Sequence, residues 1–264
     1  MPEARDPLKL YWWAAKPNFG DAISEYAAAH ASGREVVWAN YGSQDISAIG
    51  SIMHMIRWGD RKPRKGPKPV VWGTGMLRAL ELDFVENVEF ACVRGPVTEA
   101  LLEIEVAGYG DPGLLMGDYL GPQERGERIG LIPHFSHAGD PAFQAMVEAN
   151  PVLQLIDVRA DPLEVCRTIG RCAHVVSSSL HGLIVADSFG VPNTWLNPAG
   201  IHVAPKLKFV DYAAGIDRAI GRPVELADLP AMLAKLPTGA LPYAEGVARS
   251  KDDLMRLFPE RLRG

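Results

Sequence analysis

The sequence predicts an α/β fold of two parallel sheets, each wound with helices, and three observations carry that expectation. Short apolar runs alternate with amphipathic stretches along most of the chain, the order that builds parallel sheets through helical crossovers. The alternation breaks at Gly117–Glu127 (GDYLGPQERGE), where glycine, proline and charge gather as in a linker, and then restarts. The 264 residues are more than one domain of about 150 residues needs. Two Rossmann-like domains facing each other across a cleft are therefore expected, residues 1–120 and 121–264. In such sheets ligands sit beyond the strand C-termini, near helix N-termini.

The elements follow in order. Leu8–Trp13 reads as a buried strand, and Asn18-Phe19-Gly20-Asp21 as the turn after it, with Asp21 capping a helix through Ala31. Glu35–Trp38 and Ile46–Gly50 are strands, and Ile52–Trp58 is a short helix. Arg61–Lys68 is a proline-rich basic loop leading to the strand Pro69–Trp72 and the turn Gly73-Thr74-Gly75. Val88–Val93 is a strand, and Gly95-Pro96 opens the helix Val97–Leu102 with proline at its preferred first position. After the linker, strands Arg128–Pro133, Val152–Asp157, His174–Ser178 and Asn193–Leu196 alternate with helices Pro141–Ala149, Pro162–Arg171 and His181–Phe189. Asp211–Ile220, Leu226–Leu236 and Tyr243–Leu257 read as terminal helices, the last packing back on the first domain.

Composition excludes several classes. A formal net charge of −5 argues against a general nucleic-acid or anionic-membrane binder, so any bound anion must be held by a local cluster of donors. Cys92, Cys166 and Cys172 form no CxxC pair and lie in apolar runs, as buried reduced thiols do. The first residues mix both charge signs without a long apolar core, unlike a leader peptide, and no apolar run is long enough to span a bilayer. A cytoplasmic protein is expected.

Chemistry concentrates in a few segments. In HVVSSSLHGLIVADSFGVP, a strand runs through Ser177, Ser178 and Ser179 into a helix opened by Leu180-His181-Gly182. Free N–H groups at a helix start attract phosphate or carboxylate, and the serine hydroxyls add donors. His181 stands where it can transfer a proton, and Gly182 lets backbone come close. The alternative is a capping Ser179 and a hydrogen-bonded structural His181. Asn18, Gly20 and Asp21 form either a nucleotide or sugar cradle or an ordinary strand-to-helix connection. Arg94, between a strand and a helix, suits a bidentate grip on an anion or a salt bridge to Glu99 or Asp111. His134, with His137 in a nearby polar loop, ends a strand of the second domain, as a cleft residue or an interdomain contact. No carboxylate follows at a zinc-ligand spacing, and no metal site is expected. Lys206 and Lys208 precede a helix, facing an anion or solvent. Trp13, in the Tyr11-Trp12-Trp13 cluster, stacks on a sugar ring or on the core.

Together these segments resemble the polysaccharide pyruvyltransferase family. The resemblance rests on Asn18-Phe19-Gly20-Asp21, Gly73-Thr74-Gly75, Val93-Arg94-Gly95-Pro96, Gly110-Asp111-Pro112 and Ile132-Pro133-His134. Ser177-Ser178-Ser179-Leu180-His181-Gly182-Leu183 and Lys208-Phe209-Val210-Asp211-Tyr212 complete it. The Tyr-Trp-Trp start and the triple serine are most similar to the branch of succinoglycan-type exopolysaccharide synthesis. The resemblance implies a glycosyltransferase-B-like fold with an acceptor-side first domain and a donor-side second. It implies transfer of pyruvate from phosphoenolpyruvate, as co-substrate rather than cofactor, onto two hydroxyls of a saccharide as a ketal. On that reading His181, Asp21 and His134 are catalytic, and Arg94, Ser177, Ser178, Ser179, Leu180, Gly182 and Lys208 bind the donor. Asn18, Gly20 and Trp13 bind the acceptor, whose linkage to lipid would bring the protein to the inner membrane. Many members carry arginine where this chain has Ser179. Serine and helix N–H groups then suffice, or Lys206, Lys208 or Arg57 supplies the charge, or the donor differs. A sugar-nucleotide-dependent glycosyltransferase and a non-catalytic saccharide-binding relative are the alternative functions.

Overall fold

The computed structural model describes residues 6–198, 200–201 and 204–264. Residues 1–5, on which the reading of the N-terminus partly rests, lie outside them. The strands form two all-parallel sheets, as alternating strands and helices require. The first holds β1 (Leu8–Tyr11), β2 (Val36–Trp38), β3 (Ile46–Ser47), β4 (Val70–Trp72) and β5 (Glu89–Cys92) in the order β2-β1-β3-β4-β5. The second holds β6 (Ile129–Ile132), β7 (Leu153–Leu155), β8 (His174–Ser177) and β9 (Asn193–Trp195) in the order β7-β6-β8-β9. In each sheet the chain first adds a strand on one side of its opening strand and then crosses to the other. Such switch points, β1/β3 and β6/β8, open crevices beyond the strand C-termini.

The helices are α1 (Phe19–Ser32), α2 (Met53–Asp60), α3 (Pro96–Leu102), α4 (Met116–Leu120) and α5 (Pro141–Ala149). They continue with α6 (Pro162–Gly170), α7 (Leu180–Ser188), α8 (Leu207–Gly215), α9 (Leu229–Met232) and α10 (Ala244–Leu257). Several differ from expectation for local reasons. The first strand stops at Tyr11, and β3 keeps only Ile46 and Ser47 of Ile46–Gly50, because Gly50 takes a φ of 108°. The expected linker begins as α4 and is irregular after Gly121 (φ 73°). The helix expected over Asp211–Ile220 starts at Leu207, so Asp211 lies inside it rather than at its cap. Leu226–Leu236 breaks into a four-residue α9 between two short 3-10 turns.

Each sheet has an apolar cluster of its own, and two further clusters join the sheets. Ile23 and Ala27 of α1, which follows β1, pack with Val175 of β8 and Val165 of α6, while the Phe19 N–H donates to Val158 O at 2.8 Å. Leu180 and Leu183 of α7 join Leu10, Ile46 and Trp72 of the first sheet. All nine residues of α7 are buried, as a helix apolar all round must be. The last helix reaches the first sheet: Trp72 Nε1 donates to Leu254 O at 2.9 Å, and Gly264 N to Ser32 O at 2.7 Å. Cys92, Cys166 and Cys172 are free and buried, and burial raises all three thiol pKa values. Among the described residues no helix is long and apolar enough to cross a membrane.

Candidate active site

A cavity of about 230 Å³ opens where the two switch points meet. Trp13, Asn18 and Asp21 line it after β1, Gly50 and Ser51 after β3, and Arg94 after β5. His134 follows β6, Ser179, Leu180 and His181 follow β8, and Lys208 comes from α8. The ends of β1, β3, β5, β6 and β8 thus each deliver one or a few side chains to a shared space.

On the second-sheet wall, β8 turns directly into α7. Ser177 Oγ donates to Ser179 O at 2.8 Å and accepts from Ser179 N at 3.0 Å, closing the turn. Ser178 Oγ accepts from His134 N at 3.0 Å. A Cβ on Gly182 would meet Ser177 Oγ at 2.3 Å, so the glycine lets the helix close on the strand end. Ser177, Ser178 and Gly182, expected to bind the donor, stand behind the lining and brace the turn. Ser179 and Leu180 face the cavity. Ser179 occupies the N-cap without a side-chain capping bond, contrary to its capping alternative. The first turn of α7 thereby keeps unsatisfied N–H groups beside the cavity.

His181 is wedged between α7 and α1. A Cβ on Gly20 would lie 2.0 Å from His181 Nδ1, so Gly20 seats the imidazole rather than lining the acceptor side. His181 Nε2 is enclosed, makes no hydrogen bond, and stands 3.9 Å from Asp111 Oδ2, an oxygen equally enclosed and unbonded. Asp111 Oδ1 accepts from Gly113 N at 3.0 Å. Burial first, then the charges of Lys208 and Arg94, push the His181 pKa down to about 3, so the ring is neutral near pH 7. Burial raises Asp111 to about 6, against the pull of Arg94. His134 Nδ1 lies 2.7 Å from Ser136 Oγ, and its ring packs 4.4 Å from that of Phe135. His137 ends the short 3-10 turn after it, off the cavity wall.

On the first-sheet wall, Asn18 caps α1, not Asp21 as the sequence suggests. Asn18 Oδ1 accepts from Gly20 N at 3.3 Å while its Nδ2 donates to Asp21 Oδ2 at 2.5 Å, so Asp21 occupies the third helical position. Burial raises the Asp21 carboxyl to about 7, opposed by Asn18 and Lys208 and assisted by Asp111. Arg94 has neither partner expected of it. Its Nε donates to Asp211 Oδ2 at 3.0 Å, Nη1 to Ser51 Oγ at 2.7 Å, and Nη2 to Met76 O at 3.2 Å. Asp211 also accepts from Thr98 N at 2.9 Å and Thr98 Oγ1 at 2.7 Å. The guanidinium lies against Gly75, where a Cβ would come within 2.1 Å of its Cζ.

Lys208 sits one turn before Asp211 on α8, and both are buried. Its pKa falls to about 8 through burial and Arg94, with Asp21 opposing. Of the cations proposed to replace the family arginine, Lys208 reaches the cavity. Lys206 is exposed, and Arg57 turns outward to Asp83 and Glu81. Trp13 lines the wall half-buried, 5.5 Å from Phe135. Ser51, His54, Met55 and Leu77 also line the cavity and were not singled out in the sequence. Gly50-Ser51 at the end of an apolar run was a usable signal, since crevice residues follow strand ends. Among the described residues no three His, Cys, Asp or Glu side chains group as a metal site.

Comparison with known proteins shows the family to which the chain belongs. Residues 12–200, more than half of the 264, match the family described as polysaccharide pyruvyl transferase. The uncharacterized protein L143 of Acanthamoeba polyphaga mimivirus is 28% identical over 227 residues, covering 81% of this chain and 77% of that one. The succinoglycan biosynthesis protein ExoV of Rhizobium meliloti is 27% identical over 215 residues, covering 78% of this chain but only 64% of ExoV. A solved structure of an uncharacterized Klebsiella pneumoniae protein overlaps at a TM-score of 0.44 with 13% identity, over 82% of this chain and 93% of that one. That overlap is too loose to carry an argument about the fold.

Proposed function

Because this chain belongs to the polysaccharide pyruvyl transferase family, we propose that its cavity transfers pyruvate from phosphoenolpyruvate to two hydroxyls of a saccharide, as a ketal, in exopolysaccharide synthesis. The carrying observation is the meeting of two buried cations, a free helix start and the titratable side chains of Asp21, His54, His134 and His181 in one cavity. The ExoV likeness supports the pathway. The two sheets with their strand ends at one cavity support a glycosyltransferase-B-like pair of domains divided near residue 120. A lipid-linked acceptor would place the reaction beside a membrane.

The donor's anionic groups lie against Lys208, Arg94 and the α7 start. Its charge offsets the two cations that depress His181, and the imidazole takes up a proton. His181 then protonates the methylene carbon, a sugar hydroxyl attacks the neighbouring carbon, and the bond to phosphate oxygen breaks. The neutral ring accepts the attacking hydroxyl's proton. The second hydroxyl closes the ketal, and its proton leaves through Asp21 or His134 with the departing phosphate. One proton enters carbon, two leave oxygen, and phosphate carries the balance. Phosphoenolpyruvate thus acts as a co-substrate, and no step needs another cofactor.

The test is phosphate release from phosphoenolpyruvate with β-linked galactosides, glucosides and mannosides. Saccharide-dependent release with a ketal-bearing product is expected, and His181→Ala should reduce it by about 10²- to 10⁴-fold. Consumption of a sugar nucleotide with no response to phosphoenolpyruvate would overturn the reading.

A further inference from the structure

One edge of the first sheet gathers large exposed aromatic side chains and a run of cations, with Trp38 Nε1 donating to Trp12 O at 3.1 Å. Trp38 at the end of β2, Tyr41 in the following turn and Trp58 on α2 are 50%, 37% and 54% exposed. The turn and α2 are in direct contact, since a Cβ on Gly59 would come within 2.4 Å of Gly42 N. The loop 61–68 joins the same edge: Arg64 Nη1 donates to Gln44 O at 2.7 Å and pairs with Asp60 at 3.2 Å. That loop, RKPRKGPK, carries five cations in a chain of net charge −5. Arg64 is tied inward and Arg61 lies near Asp83, whose pKa it helps lower. The side chains of Lys62, Lys65 and Lys68 are exposed and make no hydrogen bond or ion pair among the described residues.

We infer that this edge docks on an anionic lipid bilayer. Tryptophan and tyrosine have the apolar body and polar tip that suit the headgroup layer, and lysines flanking them are drawn to its negative potential. The edge is continuous with the cavity. Trp58 packs edge-on against His54 at 5.4 Å, and His54 lines the cavity wall. Tyr41 packs edge-on against Tyr11 at 5.6 Å, and Tyr11 is close enough to feel the charge of Asp21. Contact through this edge would bring the cavity to the surface where lipid-anchored sugars lie. Proline at 63 and 67 restricts the backbone of the loop.

The test is sedimentation of the full chain with phosphatidylcholine vesicles, with and without phosphatidylglycerol, in the absence of donor and acceptor. Wild type should pellet with the phosphatidylglycerol vesicles alone and be released by salt. Each lysine near an anionic surface is worth about fivefold in affinity. Reversing Lys62, Lys65 and Lys68 together to Glu should therefore weaken binding at least about a hundredfold. Trp58→Ser should weaken it with every charge intact, and circular dichroism checks that both variants fold. Equal pelleting with both vesicles, unchanged binding of the triple variant, or capture by soluble dextran sulfate without vesicle preference would overturn the proposal. Because no substrate is present, failure leaves the proposed reaction standing, and absence of that reaction leaves the lipid test intact.

Discussion

Two buried aspartates stand behind the residues that line the cavity, and they are built differently. Asp211 on α8 has Arg94 and Thr98 as partners, with the guanidinium held by Ser51 and Met76 as well. Asp111 has one oxygen on Gly113 N and the other bare, 3.9 Å from an equally bare imidazole nitrogen. The first wall is a closed network with a fixed positive charge. The second is an open arrangement, in which His181 and Asp111, with Asp21 and Lys208 nearby, sit away from their ordinary pKa values. Partnered charge positions a ligand, and unpartnered charge is free to change protonation when a ligand arrives.

That contrast can be broken at its strongest point. Asp211→Ala strands the Arg94 guanidinium in the interior and should cost about 3–5 kcal/mol in urea unfolding. A loss under about 1 kcal/mol would mean the first wall is no network.

Asp21→Asn should show a pH-dependent effect of similar size. The folded carboxyl holds its proton up to about pH 7, against an ordinary 3.8. The native state therefore binds more protons than the unfolded state between these values, and this group's contribution is full below them and lost as pH rises through 7. The variant escapes that loss, gaining stability over wild type between about pH 4 and 7, on the order of 4 kcal/mol at the plateau. A pH-independent difference would remove Asp21 from the titrating wall.

Asp111→Asn tests the open wall during turnover. Once His181 is protonated, the facing carboxylate stabilises it about as much as a charged hydrogen bond, about 1.5–3 kcal/mol, so kcat should fall by about 10- to 100-fold. The alkaline limb of the pH profile, which reports loss of the imidazolium acid, should move to lower pH, because the imidazolium loses its facing carboxylate. An unmoved limb would make Asp111 merely structural.

Gly20→Ala should have the smallest effect on stability, about 1–3 kcal/mol from overpacking. It displaces the His181 ring, so it should depress turnover more than thermal stability. Equal loss of both would sharpen nothing about the ring.

Much of the architecture was legible because it depends on local pattern. Alternating apolar runs become parallel strands, and Gly95-Pro96 begins α3 much as its residues demand. Strand ends flagged His134, Arg94 and the Ser-Leu-His-Gly segment, because in a parallel sheet those positions face the crevice. What was misread depended on distant chain. Asn18 rather than Asp21 caps α1, since the carboxylate is drawn into a cavity that Lys208 completes. Three adjacent serines look alike in sequence, yet Ser177 and Ser178 brace a turn while Ser179 faces the cavity.

The sequence by itself determined the element order, the parallel sheets and the identity of the helix that begins at the serine run. These follow from side-chain periodicity and backbone preference, which act over a few residues. Only the tertiary structure decided that Arg94 pairs with Asp211, 117 positions away, that Lys208 and Ser179 line the same cavity, and that His181 is neutral at rest. Those outcomes depend on which charges share a water-poor space, and burial and Coulomb forces act through space rather than along the chain.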